Sequence, residues 1–299
     1  MVTSVGKFLR KLRIDRCEIL KTMAESLGVS SAFLSAIENG KKKFPDTLLL
    51  KLQEAYNLSP EQMEELKLAI MESSNTLELN IQNSTDKNRQ LAVSFARQFD
   101  TLDEETSKKI FNILNKNDKE DWLLTEYIVE AKSRKDIRDL ANLVREIFHL
   151  EDKLYIPILE LLEVFPEVFD DFNYEIVEDS EFPNNVHADT DIRTGHVRIR
   201  ESIYDSAYRG EGRDRMTIAH EIGHYLMLHY FGFKLERNYS HKVVPCYKDP
   251  EWQAKCFAGE FMISKNLTKG MNEFEIAISC GVSLDAAIMQ SKYYWKKEI

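Results

Sequence analysis

The sequence predicts an α+β protein that is mostly helical, with an all-α N-terminal domain and a second domain that adds a small antiparallel sheet. Three observations support this fold class. Residues 5–58 alternate short segments of helical periodicity with a break at Gly28. Residues 187–200 alternate apolar and polar side chains around Thr194-Gly195, which is typical of a β-hairpin. Residues 213–228 place apolar side chains at helical spacing, which predicts a buried helix.

The N-terminal segment has the spacing of a helix-turn-helix motif. Ala24 is small enough for two helices to approach each other, Gly28 permits a positive φ between them, and Ser30 suits the N-cap of the second helix. Leu34 and Ile37 are expected to pack that helix against the core. Over about 60 residues this pattern resembles the XRE repressor type of DNA-binding domain, the group that includes the phage repressors.

The resemblance implies DNA as a partner, and the charge distribution agrees with it. Residues 1–58 contain ten Lys or Arg against six Asp or Glu, a net charge of +4, whereas the whole chain has 40 against 50, a net charge of −10. The predicted DNA-binding residues lie in and just after the second helix of the motif: Ser30, Ser31, Ala32, Ser35, Lys41, Lys42 and Lys43.

The DNA-binding prediction has an alternative. The second helix offers no Arg, Asn or Gln for bidentate contacts with bases. Leu20 also stands where repressors of this type often carry a glutamine that contacts the DNA backbone. A helical dimerisation module that keeps the fold but reads DNA weakly is therefore the competing interpretation.

Residues 220–224 read His-Glu-Ile-Gly-His. Two histidines four apart lie on one face of a helix, so His220 and His224 can bind one Zn²⁺, with Glu221 beside it as general base. A metal held by three protein ligands keeps a position for water and lowers the pKa of that water to roughly 7. The alternative is a structural histidine pair, but the apolar surroundings offer it no local polar partners.

The third ligand is predicted to be Glu251. Asp249 suits the N-cap and Pro250 the first position of a helix on which Glu251 shares a face with small, inward residues, whereas Glu260 is expected to face solvent. The alternative for Glu251 is an acidic residue that only complements the helix dipole. His229 lies on the wrong side of its helix to share the ion and is interpreted as structural.

The run from Arg213 to His224, followed by Glu251-x-x-Ala254-x-x-Phe257-Ala258, resembles the ImmA/IrrE family of intracellular zinc metallopeptidases. The resemblance covers roughly residues 125–290. It implies a zincin-like metallopeptidase domain with His220, His224 and Glu251 as ligands and Glu221 as base. It also implies a repressor-type protein as substrate, because members of this family cleave DNA-binding repressors.

The predicted domains are 1–72 (helix-turn-helix), 73–120 (a helical connector with a brief strand at 77–81 and a hinge at 116–120) and 121–299 (metallopeptidase). The last ends in a second helix-turn-helix-like element, because Ala277-x-x-x-Gly281-Val282-Ser283 repeats the pattern at Ala24. We interpret that element as a packing unit. Within the metallopeptidase domain, His187 and His196 are expected on the strand surface, with an oxyanion-stabilising role as the alternative.

The predicted function is a zinc-dependent endopeptidase that is coupled to DNA binding and cuts a repressor to control transcription. The alternative is a transcriptional regulator whose zincin-like domain senses a ligand or partner without significant turnover. No signal peptide pattern or apolar run of 18 residues occurs, so we expect a cytoplasmic protein with reduced cysteines and no membrane contact. A homodimer is also considered, since repressor-type domains act on paired half-sites.

Overall fold

The computed structural model describes residues 2–73, 85–98, 102–103, 106, 110, 127–191, 194–231, 236–237 and 244–295. The chain divides into two compact units. One unit comprises Met1–Ser74 together with Tyr127–Ile299, and the other comprises Asn75–Glu126. The N-terminal helices and the long C-terminal segment thus share one folded body. The finer boundaries at residues 72 and 121 stay predictions.

Five helices form the N-terminal part: α1 (Ser4–Arg16), α2 (Leu20–Leu27), α3 (Ser31–Glu38), α4 (Asp46–Tyr56) and α5 (Pro60–Ser73). The turn between α2 and α3 has the predicted chemistry. Gly28 adopts φ +62°, and the Ser30 side chain caps α3 by accepting a hydrogen bond from the Phe33 amide. Leu34 and Ile37 are buried in the core, as predicted. The helix-turn-helix prediction is confirmed.

The second unit is described mainly by α6 (Asp86–Gln98), which falls in the predicted helical connector. The strand predicted at 77–81 and the hinge at 116–120 lie outside the described residues. None of the described helices combines the length and the apolar character needed to cross a lipid bilayer.

The C-terminal part begins with α7 (Arg134–Ile147) and α8 (Ile158–Val168). Its other helices follow the main strands: α9 (Glu201–Tyr208), α10 (Gly212–Phe231), α11 (Pro250–Met262), α12 (Glu273–Cys280) and α13 (Leu284–Trp295). A short antiparallel pair joins β1 (Tyr127–Ile128) to β5 (Glu236–Arg237). The predicted mostly helical α+β class is confirmed.

The main sheet contains β2 (Asn173–Val177), β3 (Ala188–Asp191) and β4 (His196–Arg200), in the order β2-β4-β3. The predicted hairpin is present, because β3 and β4 pair antiparallel and Gly195 adopts φ +68° beside the turn. However, β2 pairs with β4 in parallel, so the predicted wholly antiparallel sheet is wrong. The chain passes from β2 to the far edge before the hairpin brings β4 back into the middle.

Helices α10 and α11 pack more closely than larger side chains would permit. A Cβ atom added to Gly223 would lie 3.1 Å from the Ala254 carbonyl oxygen and 3.1 Å from the Phe257 ring. The glycine in the middle of α10 therefore lets the backbone of α11 come close. This contact sets the position of the first turn of α11 relative to α10.

The C-terminal pattern repeats the geometry of the N-terminal turn. Gly281, between α12 and α13, adopts φ +62°, as Gly28 does between α2 and α3. The Arg215 guanidinium on α10 donates hydrogen bonds to the carbonyls of Gly281, at 2.8 Å, and Ile156, at 2.6 Å. These contacts agree with the predicted packing role of this element.

Glu260 is buried, which corrects the expectation that it faces solvent. It is on the side of α11 opposite the ligand face, but α7 and α13 cover that side as well. Arg138 Nε and Arg134 Nη1 donate to its carboxylate at 2.7 Å and 3.1 Å, and the Tyr294 hydroxyl donates at 2.7 Å. The charge is therefore fully paired within the core.

We expect Glu260→Ala to lower the free energy of unfolding by about 2–3 kcal/mol, since it leaves two partly buried arginines without their carboxylate. Urea denaturation measures the change. Glu146→Ala, at an exposed position of α7, is the matched control and is expected to change stability by less than about 0.5 kcal/mol. Equal effects of the two substitutions would contradict the structural role of Glu260.

Candidate metal centre and nucleic-acid interface

The two predicted histidine ligands project from one face of α10. Their Nε2 atoms are 3.0 Å apart, as expected for residues one helical turn from each other. His224 is buried, whereas the His220 side chain keeps 18% of its surface exposed. The pair thus lies at the boundary between the core and an open cleft.

Glu251 reaches this pair from the first turn of α11. Asp249 caps the helix by accepting a hydrogen bond from the Glu251 amide at 2.9 Å, and Pro250 occupies the first helical position, as predicted. The Glu251 carboxylate oxygens lie 3.2 Å from His224 Nε2 and 3.4 Å from His220 Nε2. The structure therefore brings together the three residues that the sequence predicts as ligands.

The three side chains fit one small divalent ion. Their ligand atoms lie within 4.8 Å of one another. A tetrahedral Zn²⁺ with nitrogen and oxygen ligands at ~2.0–2.2 Å holds these ligands roughly 3.3–3.6 Å apart, close to the distances seen here. Hydrogen bonds with His220 and His224 keep the pKa of the Glu251 carboxyl well below its usual range, so Glu251 presents an anionic ligand.

Glu221 is separate from this cluster of ligand atoms. Its carboxylate accepts a hydrogen bond from the Thr190 hydroxyl on β3 at 2.7 Å. Glu221 is buried, so this bond fixes a side chain that has little other freedom. The arrangement suits a general base, because Glu221 is the neighbour of His220 in the chain and its carboxylate does not occupy a ligand position.

Thr190 is a contact of Glu221 that the sequence did not reveal. It lies in the short segment Ala188–Asp191, where no motif distinguishes it from its neighbours. Its partner is 31 residues away in the chain. Only the packing of β3 against α10 shows the contact.

His187, His196 and His229 lie in other surroundings. His229 Nδ1 is 3.3 Å from the Asp171 carboxylate, and its ring stacks on Tyr225, which agrees with a structural role. His196 lies on β4 and contacts Glu175 and Asn173. His187 immediately precedes β3 and is half-buried. Neither His187 nor His196 belongs to the ligand cluster found among the described residues.

An open pocket of about 450 Å³ lies beside His220. Met216 and Thr217 of α10, Trp252 of α11 and Met289 of α13 contribute to its walls. One wall is braced, since the Arg134 guanidinium stacks 3.8 Å from the centroid of the Tyr293 ring and pairs with buried Glu260. The pocket is therefore a largely apolar recess that shares His220 with the candidate metal centre.

The predicted DNA-binding residues of α3 lie against the C-terminal part of the chain. Ser31, Ala32 and Ser35 are buried. The Ser35 hydroxyl accepts a hydrogen bond from the Ile176 amide of β2 at 2.9 Å, and the Ala32 amide donates to the Glu201 carboxylate at 2.9 Å. In this arrangement these residues face protein and not solvent.

The other predicted DNA contacts are more accessible. Ser30, the cap of α3, is exposed, as is Lys43. Lys41 Nζ lies 2.8 Å from Glu175 and Lys42 Nζ lies 3.0 Å from Glu178, both residues of the C-terminal part. The assignment of these residues to DNA stays a prediction.

Comparison with protein families agrees with both parts of this structure. Residues 9–63 match the family model described as Helix-turn-helix, and residues 171–273 match the peptidase M78 model described as IrrE N-terminal-like domain. The chain therefore combines a helix-turn-helix domain with an IrrE N-terminal-like domain. This confirms the predicted resemblance to XRE-type domains and to the ImmA/IrrE family. Neither the curated proteins nor the solved structures give a significant match.

The IrrE N-terminal-like match contains the whole candidate site. His220, Glu221, His224 and Glu251 all lie within residues 171–273. The matched range is shorter than the range over which the resemblance was predicted. The chain thus has a metallopeptidase-like domain attached to a domain of the DNA-binding type.

We expect the purified chain to bind one Zn²⁺, and His224→Ala or Glu251→Ala to weaken binding by at least about 100-fold, since each removes one of three ligands. Isothermal titration calorimetry and elemental analysis after gel filtration measure this. His229→Ala, on the same helix but outside the cluster, is the control and should bind Zn²⁺ like the unsubstituted chain. Loss of Zn²⁺ in the control alone would contradict the assignment.

Proposed function

We propose that the chain is a zinc-dependent endopeptidase coupled to a DNA-binding domain, and that it cleaves a repressor-type protein to control transcription. One observation carries the catalytic part of this proposal. Two imidazoles and one carboxylate converge from α10 and α11, while a second carboxylate, that of Glu221 next to His220 in the chain, is bound by Thr190 and does not join the cluster. A purely structural metal site is usually closed by four protein ligands and needs no such base.

The residues of the site divide the chemistry between them. A bound Zn²⁺ supplies Lewis-acid chemistry, which acidifies water and polarises a peptide carbonyl. His220, His224 and Glu251 hold the ion. Glu221 accepts a proton as water attacks the carbonyl carbon and then delivers it to the nitrogen of the departing amine. Thr190 acts as a positioning residue, since its hydroxyl orients the carboxylate of Glu221.

The peptide substrate is expected to bind along β3. This strand is at an edge of the described sheet, in the order β2-β4-β3, and it carries the residue that contacts Glu221. An extended peptide can add to such an edge through backbone hydrogen bonds. The scissile bond would then pass close to the general base.

The helix-turn-helix match supports DNA binding and with it a role in transcriptional regulation. A domain of this type can bring the peptidase to DNA or to a repressor of similar fold. The repressor substrate itself rests on the resemblance to the ImmA/IrrE family. A homodimer stays a prediction.

Glu221→Gln is expected to reduce cleavage by at least about 100-fold while Zn²⁺ affinity stays unchanged, because the side chain is the base and not a ligand. The assay mixes the Zn²⁺-loaded chain with a repressor-type protein encoded beside it and follows a discrete cut on a gel. Undiminished cutting by Glu221→Gln would refute this mechanism. If the unsubstituted, Zn²⁺-loaded chain cuts no protein, the regulator without turnover becomes the better explanation.

We expect the pocket beside His220 to select a bulky apolar side chain next to the scissile bond. Ala286→Trp, which places an indole in the pocket, should lower kcat/KM for peptides with Phe or Leu at that position by about 10–100-fold, a loss of roughly 1–3 kcal/mol. Peptides with Ala there should be cut as before. Ile278→Trp, at a position that is 81% exposed on α12, is the matched control. Equal losses for all peptides would count against a selective pocket.

A further inference from the structure

Two buried arginines of the N-terminal domain, Arg10 and Arg13, lie at its contact with the C-terminal part of the chain. Arg13 on α1 is fully buried and lies 2.9 Å from the Glu163 carboxylate on α8. Glu38, at the end of α3, pairs with both Arg13 and Arg10. Arg10 also donates to the Tyr174 carbonyl of β2 at 3.2 Å. The two arginines and two glutamates form a neutral, desolvated cluster, which holds the domains in one orientation.

Both helices of the helix-turn-helix motif present their N-terminal amides to carboxylates of the C-terminal part of the chain. The Leu20 amide at the start of α2 donates to Glu163 at 2.6 Å, and the Ala32 amide near the start of α3 donates to Glu201 at 2.9 Å. Helix N-termini attract anions, and in DNA complexes they contact phosphates. The two carboxylates therefore occupy positions that suit phosphate groups.

Basic side chains around the motif also meet acidic partners. Lys21 lies 2.8 Å from Asp205. Lys41 and Lys42, predicted to contact phosphates, pair instead with Glu175 and Glu178. The partner surface thus contains five acidic residues, which we call the acidic face: Glu163, Glu175, Glu178, Glu201 and Asp205.

The fit to this partner is incomplete at Ser31. Ser31 is fully buried in the contact, yet its hydroxyl has no hydrogen-bond partner among the described residues. A buried hydroxyl without a partner costs free energy, and side chains at this end of the helix are the ones that reach base edges in helix-turn-helix complexes. Ser31 therefore retains a polar group that the contact does not use.

We propose that the acidic face is an intramolecular DNA mimic, which occupies the DNA-binding surface of the helix-turn-helix domain. Duplex DNA and the acidic face compete for the same helix N-termini and the same lysines. DNA binding through α3 then requires separation of α3 from β2. This inference rests on DNA binding by the helix-turn-helix domain and is independent of catalysis, so an inactive peptidase would leave it standing.

The test compares two pairs of substitutions with the same change in charge. Glu201→Gln with Asp205→Asn removes two carboxylates of the acidic face without touching the helix-turn-helix domain. Glu151→Gln with Asp152→Asn removes two exposed carboxylates elsewhere on the C-terminal part. Each full-length protein is titrated onto a fluorescein-labelled duplex of about 30 base pairs and mixed sequence at low salt, and fluorescence anisotropy gives the affinity.

We expect the acidic-face pair to bind the duplex at least tenfold more tightly than the unsubstituted chain, and the matched pair to differ by no more than about threefold. Hydrogen exchange should also show that saturating duplex increases exchange in residues 173–177 of β2, whose Ile176 amide loses its bond to Ser35. If the acidic-face pair does not fold, Asp205→Asn alone serves the comparison.

Three results would overturn the proposal. The two pairs could raise affinity equally, which would show a general effect of charge. The duplex could bind while β2 and α3 keep their full protection, which would place DNA on another surface. Finally, a complete lack of duplex binding by every variant would show that α3 is a permanent contact with the C-terminal part.

Discussion

The close approach of α10 and α11 at Gly223 is the constraint on which the candidate metal centre depends. With any larger residue, the Ala254 backbone and the Phe257 ring would have to move away. Glu251 is one turn before Ala254, so the spacing of the two helices sets the distance from its carboxylate to the imidazoles. The candidate metal centre therefore depends on backbone packing between the helices, and helix periodicity places His220 and His224 on one face.

The sequence predicts the convergence of His220, His224 and Glu251 because its determinants are local. The spacing of His220 and His224, and the cap at Asp249 before Glu251, each follow from a few adjacent residues. The environment of Glu260 was mispredicted for a different reason. Its angular position on α11 agrees with the prediction, because it lies opposite the ligand face. However, α7 and α13 cover that opposite side of α11, and only the tertiary structure shows this.

Local sequence patterns do not predict the strand order of the sheet or the contact between the N-terminal and C-terminal parts. The parallel pairing of β2 with β4 joins strands that are separated by the hairpin itself, and periodicity does not specify which strand inserts between two others. The segregation of positive charge into residues 1–58 is visible in the sequence and predicts DNA binding. The structure shows a second kind of partner for these basic residues, because acidic residues of the same chain form ion pairs with Arg13, Lys21 and Lys41.

The small sheet links the two surfaces of interest. One outer strand, β2, has a backbone amide bonded to Ser35 of α3, and the other, β3, carries the threonine that steadies Glu221. Neighbouring strands are about 4.8 Å apart, so the two edges are separated by roughly 10 Å. A peptide that adds to the β3 edge would alter the hydrogen bonds of this three-stranded sheet. The separation of α3 from the β2 edge would alter hydrogen bonds of the same sheet. The proposed peptide-binding edge and the edge that contacts α3 thus belong to one sheet of three strands.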